Sequence, residues 1–198
     1  FSYDGTEKKP TVLVTYQYGT EVEVRQLTEG SDFTVAYSNN INAGTATAVI
    51  SGIGNYTGSR TVEYTITEKS FDGAIVTFPN GTSYPYMGSD NGVEPEVQVT
   101  LDGNVLTAGT AYEVSYQNNK ACGTATVTVT GKGSYAGSVT APFTIVSHDI
   151  AAADVTVDPI PNQAYTGQPV IPEVKVTCGD YTLKQGEDYT LSFDTDNT

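Results

Sequence analysis

Ser31-Asp32-Phe33-Thr34-Val35-Ala36-Tyr37-Ser38-Asn39-Asn40 returns later in the chain as Thr110-Ala111-Tyr112-Glu113-Val114-Ser115-Tyr116-Gln117-Asn118-Asn119. Reading outward from this block, Ala43-Gly44-Thr45-Ala46 returns as Cys122-Gly123-Thr124-Ala125. Gly52-Ile53-Gly54-Asn55-Tyr56-Thr57-Gly58 returns as Gly131-Lys132-Gly133-Ser134-Tyr135-Ala136-Gly137. A third copy opens with Gly186-Glu187-Asp188-Tyr189-Thr190-Leu191-Ser192-Phe193. Tyr56 and Tyr135 lie 79 positions apart, and Gly109 and Gly186 lie 77 apart. A period near 80 is too long for a solenoid coil and suits a small domain. The 198 residues therefore divide into a first repeat over 1–70, a second over 71–149 and a third over 150–198.

Within each copy, apolar residues alternate with polar ones, which is strand periodicity. Phe33, Val35 and Tyr37 fall on one face, as do Tyr112, Val114 and Tyr116, and then Tyr189, Leu191 and Phe193. The next strand turns Ala46, Ala48 and Ile50 inward, matched by Ala125, Val127 and Val129. A last strand carries Val62, Tyr64 and Ile66, matched by Ala141, Phe143 and Ile145. An earlier Val-x-Val strand follows Pro10, Pro95 and Pro172. Asn39-Asn40 and Asn118-Asn119 separate two strands where left-handed backbone is tolerated. No window shows helical periodicity with caps. About six or seven short strands per copy predict an all-β chain of tandem immunoglobulin-like antiparallel β-sandwiches. The joints, 67–70 and 146–149, are short and free of Gly runs, which predicts an extended, semi-rigid rod. The first copy lacks the lead strand that precedes Tyr86 and Tyr165, and the third stops at the equivalent of Ala121. This reads as a fragment, with the third copy expected to be completed by further residues or by strand exchange with a second chain.

Charge restricts the partners. Nine Lys and Arg stand against 23 Asp and Glu, a net charge of −14. Nucleic acid and anionic membrane surfaces both require clustered cations, so neither is expected as a partner. No apolar run approaches the roughly 18 residues of a membrane span, so no membrane insertion is expected in this segment.

The motifs Tyr3-Asp4-Gly5, Pro10 to Val14, Leu27 to Phe33, Tyr37 to Asn40, Ala43 to Ala46 and Gly52 to Gly58 cover essentially the whole repeat. Their pattern resembles the bacterial immunoglobulin-like repeats of large secreted and cell-surface proteins, mainly of Gram-positive bacteria. The resemblance implies an extracellular setting, at the bacterial surface or secreted. It implies a structural spacer whose partners are neighbouring domains of the same polypeptide. The alternative is an adhesin or carbohydrate-binding module that contacts host or dietary glycans or another surface protein. It supplies no catalytic residues and implies no disulfide.

The residues agree that this is not an enzyme. His148 is the only histidine and sits in a joint, so no His-based triad, metal site or cofactor is expected. Cys122 and Cys178 are not equivalent positions and are read as two buried thiols without a bridge. Asp194-Thr195-Asp196-Asn197 opens like a calcium loop but lacks the Gly that should follow. The lysines do not recur between copies, which disfavours an isopeptide bond. Sugars stack on exposed rings, and most of the 14 tyrosines recur at core positions. Tyr16 and Tyr18, in an excursion particular to the first copy, and Tyr181, at the matching hairpin of the third, are the candidate ligand-binding residues.

Overall fold

A computed structural model of the chain describes residues 1–17, 19, 24–88 and 90–193. Among the described residues the chain is all-β, with no helix and 44% of its residues in strands. Among the described residues, no helix is long and apolar enough to cross a membrane. Two compact units emerge: Phe1–Ala74 with Leu106–Glu113 and Thr130–Ser138, and Ile75–Val105 with Val114–Val129 and Val139–Thr198.

In the first unit, β1 (Thr15–Gln17) and β2 (Val24–Gln26) form an antiparallel hairpin. A three-stranded antiparallel sheet runs β3 (Phe33–Ser38), β4 (Gly44–Gly52), β5 (Ser59–Ile66), with β4 central. Ala46, Ala48 and Ile50 of β4 are buried, as their alternation requires, and so are Phe33 and Ile66. Val35 and Tyr37 are only half-buried, because β3 is an edge strand whose side chains meet neighbours on one flank. Val62, midway along β5 opposite Ala48, is exposed, because β5 is the other edge strand of the sheet. The short β6 (Lys69–Ser70) pairs in parallel with β13 (Tyr135–Ala136).

The second unit carries a sheet in the order β10 (Asn104–Val105), β9 (Gln98–Leu101), β7 (Ile75–Thr77). A further sheet runs β11 (Tyr112–Gln117), β12 (Gly123–Gly131), β14 (Ser138–Val146), β8 (Ser83–Pro85). Ala125, Phe143, Ile145 and Val93 form a buried cluster, packed by Phe78, Tyr84, Tyr86, Met87 and Tyr116. Val99 and Leu101 of β9 are buried too. Val114 is exposed, again on an edge strand. The third sheet runs β15 (Val155–Val157), β16 (Val176–Cys178), β17 (Tyr181–Thr182).

Pairing is not wholly antiparallel. β8 lies parallel to β14, with Ile145 opposite Tyr84, and β6 lies parallel to β13. A lead segment that runs beside the last strand of its copy has the same direction as that strand, so the parallel pair follows from where the segment docks.

The repeat is written in the backbone as well as in the letters. Asn39 and Asn118 hold φ of 53° and 55°. The Gly30, Gly109 and Gly186 N–H groups each donate to the carbonyl three residues on, of Phe33, Tyr112 and Tyr189, at 2.8 Å. Tyr37 and Tyr116 each donate their hydroxyl to the carbonyl of the proline before the Val-x-Val segment, Pro10 and Pro95, at 2.6 Å. Asn40 and Asn119 clamp the strap further up, donating to Lys8 O and Val93 O. At Gly52 and Gly131 a Cβ would stand 2.8 Å from the backbone of Tyr56 or Tyr135, so only glycine lets the loop fold onto its own strand.

Candidate functional site

Of the three candidate sugar-stacking rings, Tyr18 lies outside the described residues. Tyr16 is half-buried in β1 and meets Tyr56 edge-on, centroids 6.1 Å apart. Its register position is that of Leu101 and Cys178, both buried, so the position belongs to the inward pattern of the repeat. Burial pushes the Tyr56 phenol above its ordinary range, and the adjoining Tyr16 adds to the shift. Tyr181 sits in β17 opposite Cys178 and is 38% exposed. Tyr16 belongs to the first unit and Tyr181 to the second. The acidic stretch 194–197 also lies outside the described residues.

The better-built features are at the joints between copies. At the first, Phe71 is almost wholly buried. Its N–H donates to Ala136 O at 2.8 Å and its ring meets Tyr135 edge-on at 5.8 Å. Tyr3 meets the same Tyr135 ring at 5.4 Å. Lys69 N–H donates to Ser134 O, and the Ser134 hydroxyl accepts from Ala43 N–H at 3.0 Å. Burial, and then the neighbouring Tyr3, raises the Tyr135 phenol. Edge-to-face rings each add roughly 0.5–1.5 kcal/mol beyond the area they bury.

The second joint is polar. Tyr86, equivalent to Tyr3, donates its hydroxyl to Asp188 Oδ1 at 2.5 Å. Asp188 Oδ2 also accepts the Lys184 N–H at 2.8 Å, as Asp32 Oδ2 accepts the Thr28 N–H in the first copy. Lys184 pairs with Asp90. In the same unit, His148 Nε2 lies 3.0 Å from Asp154 Oδ1, and these two residues and Cys178 bring their ligand atoms within 4.8 Å of one another. Burial, and then the Asp154 charge, pushes the Cys178 thiol up.

Both cysteines are free, but only Cys178 is buried. Cys122, expected to be buried, is exposed, because its slot lies in the turn ahead of β12 rather than on an inward strand face. The cavities near the repeated turns are shallow. One of about 440 Å³ is lined by residues 39–45, and one of about 390 Å³ by residues 116–124. The lining of each is mostly the turn itself. A further hollow of about 310 Å³ adjoins Phe33, Ile50, Tyr56 and Arg60.

The sequence places both joints, at 67–70 and 146–149, but not the residues that pack at them. Tyr3 and Tyr135 are 132 positions apart, and no local period links them. The recurrence of Tyr ahead of x-Gly, outside any alternating strand, is the one signal that could have marked the docking residue. Likewise a solitary histidine does not suggest a ligand set from sequence, although such a set needs only one.

What these features define is a class: an all-β chain of several small sheets, built from a recurring set of turns and straps. No protein-family model, curated protein or solved structure matches the chain.

Proposed function

We propose that this chain is a non-catalytic spacer. In this reading it is a run of tandem immunoglobulin-like sandwiches, set end to end as an extended rod in a multimodular bacterial protein that is secreted or displayed at the cell surface. The observation that carries the reading is the first joint. The Gly-x-Gly-x-Tyr loop of the second copy receives Phe71 and Tyr3, so the segment that links two copies is bound into a packed end rather than left free. A linker held by backbone pairing, two ring contacts and a buried phenylalanine resists bending, which is what a spacer requires.

The packing of Tyr16 against Tyr56 speaks against a free sugar platform there. A glycan array probed with the whole chain should remain blank. Specific binding, lost on Tyr181→Ala or Tyr16→Ala, would overturn the spacer reading in favour of a carbohydrate-binding module. Small-angle scattering should give a maximum dimension that grows by a constant step with each added repeat. A dimension that does not grow would overturn the rod.

A further inference from the structure

We propose that His148, Asp154 and Cys178 form a three-residue site for a divalent transition ion of the zinc class, tying the segment that enters the third copy to its β15–β16 pair. The chain has one histidine and two cysteines. The histidine and one of the cysteines converge with a carboxylate inside a span of 4.8 Å. A tetrahedral zinc ion bound at its usual ligand distances holds such donor atoms about 3.3–3.6 Å apart. His148 and Asp154 already stand at 3.0 Å, and both side chains reach solvent, so modest rotation closes the set. Cys178 is 1% exposed and supplies a fixed thiolate at the back of the site. An ion enters from the His148 and Asp154 side, and water fills the fourth position.

The second copy shows that this grouping is not a by-product of the repeat. By sequence and strand register, the matching positions of the second copy are Lys69, Gly73 and Leu101. None of the three is a metal ligand. Among the described residues, three separate differences from the second copy coincide in space here. One charge of the ion is met by the thiolate and one by the carboxylate, so the bound site is neutral. The mix of sulfur, imidazole and carboxylate suits zinc, and equally its spectroscopic stand-in cobalt(II), over calcium or magnesium. The site would work in any chain with this joint, whatever the array is used for.

Cobalt(II) titration of the whole chain tests it, in a Cys122→Ser background so that Cys178 is the only thiol. The expected result is a thiolate-to-cobalt charge-transfer band in the near ultraviolet, saturating at one ion per chain and displaced by zinc. His148→Ala and Asp154→Ala should each weaken binding by about tenfold or more, and zinc should raise the thermal midpoint of the parent but not of these variants. Absence of the band overturns the site, as does a band that survives Cys178→Ser. Affinity undiminished by His148→Ala or by Asp154→Ala also overturns it. Those two variants alter exposed or half-exposed side chains, so they decide the matter even if Cys178→Ser fails to fold.

Discussion

Tyr56 and Tyr135 close loops of the same design but end in different company. Both follow a glycine that admits no Cβ, and both loops return an N–H to the last glycine, Gly52 to Gly58 at 3.0 Å and Gly131 to Gly137 at 2.9 Å. Around Tyr135 the socket is full, with Phe71 and Tyr3 on its ring. Around Tyr56 there is Tyr16 and a hollow of about 310 Å³. Ile150, 79 positions after Phe71, has no such loop near it among the described residues and is 54% exposed, whereas Phe71 is 1% exposed. The apolar residue of the joint is thus buried by the loop it meets and not by its own strand.

The sharpest way to break this comparison is to empty the full socket. Phe71→Ala removes a buried ring and leaves a cavity, and should cost about 3–5 kcal/mol in a denaturant titration. Ile150→Ala, at the exposed equivalent, should stay within about 0.5 kcal/mol. Comparable losses at both would show that Phe71 is not held by the Tyr135 loop.

A second pair asks whether the loops are alike before anything docks on them. An added Cβ meets backbone at 2.8 Å at both Gly52 and Gly131, and backbone does not swing aside as a side chain does. Gly52→Ala and Gly131→Ala should each destabilise by about 1–3 kcal/mol, and by similar amounts. A neutral result at either would mean that its loop is not folded onto its strand.

How much of this could be read from the letters follows from the range of each interaction. Alternation gave the buried face of β4 and β12 residue for residue, because a strand's facing depends only on parity. The turn at Gly30, Gly109 and Gly186 was visible as a repeated Leu-x-x-Gly for the same local reason. Val35, Tyr37 and Val114 fell short of full burial, since edge position is a property of the sheet and not of the strand. The parallel β8–β14 pair, the Tyr135 socket and the approach of Cys178 to His148 and Asp154 all join distant positions, and distance along the chain erases periodic signals. Cys122 shows the converse: a small-residue slot reads as an inward one, when small residues are also what a tight turn needs.

Alkaline pH should affect both units more gently. Burial raises the phenols of Tyr37, Tyr64 and Tyr135 in the first unit and of Tyr84 in the second above their ordinary 10.0. The folded chain therefore holds these protons more tightly than the unfolded chain does. Their contribution to stability is whole below pH 10 and is lost as pH rises through the folded values. The urea midpoint should fall as pH rises above about 10, together with phenolate absorbance that lags that of the unfolded chain. A midpoint that holds steady would mean that these rings titrate as free tyrosines.

The smallest expected effect separates the two lead tyrosines by chemistry. Tyr3 meets its partner through its ring, whereas Tyr86 reaches Asp188 through its hydroxyl at 2.5 Å. Asp188 is already anchored, because its other oxygen takes the Lys184 N–H at 2.8 Å. The first copy makes the same cap from Asp32 to the Thr28 N–H, so the cap belongs to the turn and not to the tyrosine. Tyr86→Phe should therefore leave the turn intact and remove one hydrogen bond to a carboxylate, at a cost of about 1.5 kcal/mol. In an Asp188→Ala background the same change should cost nearly nothing, since the acceptor is gone and the ring still packs on the cluster of Val93, Phe143 and Ile145. The coupling energy from this double-mutant cycle is the measure of the polar joint. A coupling near zero would mean that Tyr86 holds the second joint through the packing of its ring and not through Asp188.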